Sequence, residues 1–383
     1  MALDPETLTL LLETVRRFVA EQLLPHEEEV ARTDAVPAGL VSQMADLGLF
    51  GISIPPAYGG MGLTAEEEVL VTLELGRASP VFRSIAATNI GIGSQGILID
   101  GTDAQKERFL PKIADGSTIS SFALTEPGVG SDAANVQTSA RRVGDNYILN
   151  GTKRYITNAP EAGLFTVMAR TGDAASGSAG VSAFVVEAGS PGLSIGRPER
   201  KMGQQGTHVA DVVFEDCRVS AENLIGGVEG RGFKTAMKVL DKGRLSISAA
   251  CTGFASRILD EAVSYAAERI QFGRPISEFQ LIQAMISDSH TEILAAHSMI
   301  LATARAKDQG LNIGTDAAAC KLFASEMVGR VADRNVQIHG GAGYVADFPA
   351  ERHYRDVRLY RIYEGTSEIQ RIRIARDILA RER

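Results

Sequence analysis

The sequence has little that would mark a secreted, metal-dependent or nucleic-acid-binding protein. Its 383 residues hold only three cysteines, Cys217, Cys251 and Cys320, widely spaced and without a CxxC pair. That usage predicts reduced thiols in a cytoplasmic protein, not a disulfide framework or a zinc site. Six histidines and no HExxH motif leave metal catalysis without support, and no metal ligands are assigned. The first residues, Met-Ala-Leu-Asp-Pro-Glu, lack a basic segment followed by an apolar one, so neither a secretory signal nor a transit peptide is read there. No apolar run approaches the roughly 18 residues of a membrane span. Positive charge is also in deficit: 39 Lys and Arg against 47 Asp and Glu give a net charge of −8. Nucleic acid and anionic membrane surfaces select basic patches, so neither is expected as a partner.

What is present is a globular composition, 44% hydrophobic and 22% charged, in a chain long enough for two or three domains. The first third reads as helix. Leu11, Leu12, Val15, Phe18, Val19 and Leu23 recur at a 3.6-residue period, and Thr64 is a candidate N-cap three residues before Glu67. Between about residues 120 and 227, Gly, Ser, Thr and Val rise. Asn146–Asn150, Val181–Val186 and Val209–Phe214 read as strands of a small antiparallel sandwich or barrel. The last third predicts long helices from Phe233 to Arg269, from about Phe279 to Lys307 and from Ala317 to about His339. The expected organisation is mostly α with a central β domain: an N-terminal helical domain (1–119), a middle β domain (120–227) and a C-terminal helical domain (228–383).

Three glycine-rich stretches need separate readings. Gly91–Gly96 matches GxGxxG but lies in helical text without a preceding strand, so it is read as close helix packing and not as a dinucleotide fingerprint. Leu124–Asp132 follows an apolar run. Pro127, Gly128 and Gly130 force a turn there whose N–H groups, with the Ser131 hydroxyl, could hold a phosphate or the polar edge of a heterocycle; an ordinary loop is the equal alternative. Gln337–Gly343 sets polar residues before a glycine cluster, and His339 within it has no partner at metal-ligand spacing, which favours a structural role. In Ile362–Arg371, Glu364 lies between Tyr363, which can exclude water, and Gly365, which has no side chain. A carboxylate so placed can gain a raised pKa and open access to substrate, as a general base requires.

Four motifs in order, Phe122–Asp132, Tyr155–Asn158, Arg269–Pro275 and Gln337–Gly343 followed by Tyr363–Thr366, resemble the acyl-CoA dehydrogenase family over essentially the whole chain. The resemblance implies an N-terminal helical domain, a middle antiparallel β-barrel or sandwich and a C-terminal four-helix bundle. It implies FAD as cofactor and a homotetramer built as a dimer of dimers. Carried over by position, Phe122, Leu124, Thr125, Gly130 and Ser131 meet the flavin edge and phosphates, with Ser131 also near the acyl-CoA. Tyr155 and Thr157 cover the other flavin face. Arg269, Phe272, Gln280, Gln337 and Gly341 reach the flavin of a neighbouring subunit, and Thr366 and Glu368 lie toward its pyrophosphate and adenosine side.

The reaction implied is α,β-desaturation of an acyl-CoA thioester. Glu364 removes the α-proton while the β-hydride passes to flavin N5, and the Glu364 N–H with a ribityl hydroxyl polarises the thioester carbonyl. Some relatives carry the base on another helix, just before an arginine; here that position is Gly243, beside Arg244. Asp241, Arg244 and Gly365 are expected on the substrate side. Arg83, in Val81–Ser84, borders the acyl pocket and could grip an acidic tail as in glutaryl-CoA dehydrogenase; the alternative is a structural arginine at a helix end. Electron-transfer flavoprotein is the expected acceptor. The competing readings are a flavin monooxygenase or oxidase of the same fold and a catalytically silent acyl-CoA-binding homologue.

Overall fold

The computed structural model describes residues 2–382. The chain runs helix, sheet, helix, as the composition shift implies. The first helix, Pro5–Phe18, starts where the Asp4 carboxylate accepts from the Glu6 and Thr7 N–H groups, and Pro5 occupies the first turn, where its missing N–H costs nothing. Its periodic residues Val15, Phe18, Val19 and Leu23 enter a buried cluster with Leu75, Phe82 and Ile90. Burying each such side chain contributes roughly 1.5–3 kcal/mol. Thr64 caps the helix Ala65–Leu75 in a reciprocal box with Glu67. The helix Pro80–Thr88 then passes through a wide π-type turn, Asn89–Gly93, into Ser94–Asp100.

That turn explains the GxGxxG match. The stretch is helical, and a Cβ on Gly93 would come within 2.8 Å of the Ser120 carbonyl oxygen. The glycine permits helix and strand to touch, as expected of a packing motif.

The middle of the chain forms one curled seven-stranded sheet: β1 (Ser120–Ala123), β2 (Ser139–Val143), β3 (Asn146–Thr157), β4 (Leu164–Arg170), β5 (Val181–Glu187), β6 (Leu193–Ile195) and β7 (Val209–Ser220). The spatial order is β1-β4-β2-β3-β7-β6, with β5 on β4. The hairpin ladders are antiparallel, as predicted. The sheet is nevertheless mixed: β1 pairs parallel with β4 from Ser120↔Leu164 to Ala123↔Val167, and β2 meets β4 in parallel at Ser139↔Arg170. The chain leaves β1 by the turn-forming loop and builds the β2–β3 hairpin before β4 returns alongside it, which allows parallel pairing. Tyr147, Phe165, Phe184 and Phe214 fill one face of this sheet.

Five helices close the chain among the described residues: Gly232–Glu268, Gln280–Asp308, Gly314–His339, the short Ala350–Val357 and Ser367–Leu379. Their shared core includes Phe254, Ile258, Ile300, Met327, Val328 and Tyr360. His339 is structural, stacked on Tyr265 at a centroid distance of 4.1 Å with Nδ1 2.8 Å from the Asn335 carbonyl oxygen. Among the described residues no helix is long and apolar enough to cross a membrane, and no cluster of three or more His, Cys, Asp or Glu could hold a metal.

Candidate active site

The three parts of the chain meet around a cavity of about 340 Å³. The sheet supplies one wall. Phe122 lies near the end of β1, and Leu124, Thr125, Gly130 and Ser131 continue the wall along the turn. The turn is fixed from behind by a buried ion pair, Lys153 Nζ to Glu126 Oε1 at 2.7 Å. Glu126 also accepts from the Thr138 N–H at 2.8 Å and the Gln137 N–H at 2.7 Å, while Lys153 donates to the Leu124 carbonyl at 3.0 Å. Burial drives the Lys153 pKa down to about 8, with Glu126 opposing it. The recorded bonds of this pair thus tie the Leu124–Glu126 turn to Gln137, Thr138 and β3.

Tyr155 and Thr157 come from the end of β3. The β3–β7 ladder slips between Lys153 and Ile156, and Tyr155 sits in that bulge with φ of 57°. A bulge turns a side chain out of the strand alternation, here onto the cavity rim. Asn158 closes the motif at φ 58°, a conformation Asn tolerates, and its amide donates to the Ser84 carbonyl at 3.3 Å, tying the sheet to the helix that carries Arg83.

Glu364 faces this wall from the C-terminal domain. It follows the 3-10 turn Arg358–Arg361 and has φ of 52°; Gly365 has φ of 91°. Two successive left-handed residues set the direction of the Glu364 side chain, and the strain of a non-glycine residue there, about 1–3 kcal/mol, is typical of functional positions. The Gln370 amide donates to the Glu364 and Gly365 carbonyls at 3.2 and 3.0 Å, and Lys321 Nζ donates to the Gly365 carbonyl at 2.7 Å. The φ of 91° at Gly365 strains any side chain there, and a Cβ would also push the Gln370 amide aside, which favours glycine. Thr366 then caps the helix Ser367–Leu379, its hydroxyl accepting from the Ile369 N–H.

The Glu364 Oε2 atom is shut off from solvent and has no hydrogen-bond partner. Burial raises the Glu364 pKa above the ordinary glutamate value; Arg83, Lys321 and Arg244 pull the other way. The carboxylate lies over Gly243 on the helix Gly232–Glu268, where a Cβ would overlap Oε2 and stand 3.3 Å from the carboxylate carbon. Arg83 is buried on the cavity wall. One of its amino groups donates to Ser246 Oγ at 2.9 Å, and its Nε is unpartnered. Arg244, also on the wall and also with a free Nε, is ion-paired to Asp241.

The structure therefore gathers Glu364, Gly365, Arg83, Arg244, Phe122, Leu124, Thr125, Gly130, Ser131, Tyr155 and Thr157 around one space. Asp241 stands behind Arg244, off the wall. Thr366 is committed to capping, and Glu368 faces solvent in the first turn of that helix. Arg269, Phe272, Gln280, Gln337 and Gly341 lie outside the cavity on exposed surface; the Phe272 ring is 93% exposed with φ of 52°. Sequence reasoning missed Lys321, Gln370 and the Glu126–Lys153 pair. Only Glu126, inside the turn motif, carried a local signal.

Such a site sets a buried carboxylate opposite an apolar ledge edged by hydroxyls, as proton abstraction beside a flat electron acceptor requires. Models of the acyl-CoA dehydrogenase N-terminal, middle and C-terminal domains match residues 5–117, 121–217 and 230–379. An acryloyl-CoA reductase (NADH) of Anaerotignum propionicum is 42% identical over 97% of this chain and 94% of its own length. The human mitochondrial short-chain specific acyl-CoA dehydrogenase is 40% identical over 98% and 90%. A subunit of a caffeyl-CoA reductase–Etf complex of Acetobacterium woodii is 40% identical over 95% and 96%. Among solved structures, butyryl-CoA dehydrogenase from Megasphaera elsdenii superposes with a TM-score of 0.94 at 35% identity, covering 99% of this chain and 100% of that one. An acyl-CoA dehydrogenase of Bacillus anthracis, solved complexed with FAD, gives 0.91 at 32%, covering 100% and 69%. The chain belongs to the acyl-CoA dehydrogenase family and is an oxidoreductase.

Proposed function

We propose that the protein is a cytoplasmic, FAD-dependent acyl-CoA dehydrogenase in which Glu364 is the α-proton base. The observation that carries this is the unpartnered, solvent-shielded Oε2 of Glu364, a residue that lines the same cavity as the Leu124–Thr125 and Tyr155–Thr157 wall. The wall fits a flavin: Phe122, Leu124 and Tyr155 offer an apolar ledge, Thr125, Ser131 and Thr157 offer hydroxyls, and the Thr125 N–H has no partner among the described residues. When bound, FAD supplies the two-electron acceptor for the β-hydride. Everything else falls to the protein. The Glu364 carboxylate takes the α-proton through Oε2. Its own N–H, also without a partner among the described residues, donates to the thioester oxygen and so makes the α-proton more acidic. Burial holds the carboxylate's pKa above the ordinary glutamate value, and Arg83 and Arg244 partly offset that rise by favouring the ionised form. Arg269, Phe272, Gln280, Gln337 and Gly341, exposed in one subunit, would serve a neighbour's cofactor in a homotetramer, with electron-transfer flavoprotein as acceptor.

The test is anaerobic mixing with a panel of acyl-CoA thioesters. A dehydrogenase bleaches its flavin with substrate alone and then reduces electron-transfer flavoprotein or a dye. Bleaching that needs no thioester, or turnover that needs O₂, would replace this reading with a monooxygenase or oxidase. No bleaching by any thioester would indicate a silent homologue. Arg83 favours one refinement, since it lines the cavity and its buried Nε is unpartnered. It would bind the carboxylate of an ω-acidic acyl group. Glutaryl- and succinyl-type thioesters should then outpace butyryl- and octanoyl-CoA, and Arg83→Ala should remove that preference. Turnover of neutral chains alone, unaffected by the substitution, sinks the refinement.

A further inference from the structure

Lys321 is fully buried on the helix Gly314–His339, and its hydrogen bond goes to a neutral backbone carbonyl, that of Gly365. A buried ammonium is costly unless its charge is used. Three cations act on Glu364: Arg83 from the helix Pro80–Thr88, Arg244 from Gly232–Glu268 and Lys321 from Gly314–His339. Cys251 and Tyr363 also border this space, and Glu326 acts on Lys321 from its own helix. Arg83 and Arg244 line the cavity; Lys321 does not. It lies behind the Glu364–Gly365 turn, and it alone of the three bonds to the backbone of that turn.

We infer that Lys321 is the positioning residue for Glu364, its one ammonium doing two things. The bond to the Gly365 carbonyl holds the left-handed turn, and with it the carboxylate over Gly243. The charge, applied from behind, favours the ionised form of that carboxylate without offering substrate a competing cation. Gln370 shares the first task through its amide but, being neutral, cannot perform the second. The inference rests on Glu364 as the base.

The test compares Lys321→Met, Lys321→Gln, Lys321→Arg and Gln370→Met by the pH dependence of kcat/KM for butyryl-CoA with a dye acceptor. Flavin content and thermal melting are measured alongside. Loss of the charge should move the acid limb upward by roughly half a unit or more. Lys321→Met and Lys321→Gln should show this, Lys321→Arg should restore the wild-type limb, and Gln370→Met should lower kcat with the limb unmoved. Should Lys321→Met fail to fold, the Gln and Arg variants decide by the same criterion. Neutral variants that keep flavin and titrate with the wild-type limb overturn the inference. A fully active Glu364→Gln variant overturns instead the assignment of the base on which it depends.

Discussion

Gly243→Ala separates stability from catalysis. The added methyl would stand 3.3 Å from the Glu364 carboxylate carbon and overlap Oε2. To restore ordinary contact the carboxylate must swing by about 1 Å; misplacement on that scale can cost about 100-fold in rate, because proton transfer needs hydrogen-bond geometry. The fold should barely register the change. Position 243 lies inside the helix Gly232–Glu268, where Ala is favoured over Gly by about 1 kcal/mol. Against that stands an off-rotamer Glu364, about 0.5–1.5 kcal/mol. The two nearly cancel. Dye-coupled kcat/KM with butyryl-CoA should fall about 100-fold, while the melting temperature stays within a few degrees and flavin remains bound. Wild-type activity with an unchanged pH profile would refute the reasoning: the carboxylate would then not work from the place the structure gives it.

Three further outcomes follow. Glu364→Gln should lose at least about 1,000-fold in kcat/KM and yet melt higher at neutral pH. Burial raises the Glu364 pKa in the folded state above its unfolded value near 4.5. The protonated side chain therefore favours folding below that value, and stability falls as pH rises through the folded pKa. The variant's advantage in thermal melts should accordingly shrink toward pH 4. Lys153→Met strands the buried Glu126 carboxylate and should destabilise by about 3–5 kcal/mol in denaturant titration, with weaker flavin retention as the Leu124–Ser131 turn loosens. Arg269→Ala, on exposed surface, should leave single-subunit stability unchanged and lower flavin affinity at subunit concentrations where a tetramer forms; equal affinity at all concentrations counts against the shared site.

Much of this was legible in the chain because it was local. The helix–sheet–helix order follows from period and composition, and Thr64 was legible as an N-cap, to which the structure adds the reciprocal bond from Glu67. Glu364 drew notice through its neighbours Tyr363 and Gly365, and the turn at Leu124–Asp132 through its Pro and Gly. What escaped depends on contacts distant in sequence. β4 is buried on both faces, mostly apolar and without alternation, so neither it nor its parallel pairing with β1 was read. Lys321 looks like one more charge on an amphipathic helix until the fold sets it against Gly365, 44 residues away. Lys153 lies in an ordinary strand pattern, and only the return of the Glu126 turn makes it the anchor of the site wall. The residues from Arg269 to Gln280 and from Gln337 to Gly341 stood out as motifs, but one subunit gives them no ligand to touch.

The account stands on Glu364 as the base, and stopped-flow flavin absorbance tests it most directly. Wild type and Glu364→Gln are mixed anaerobically with butyryl-CoA at saturating concentration. The account predicts rapid bleaching of wild type, and in the variant substrate binding without bleaching on that timescale, slower by at least about 1,000-fold. Bleaching of the variant at the wild-type rate would contradict it.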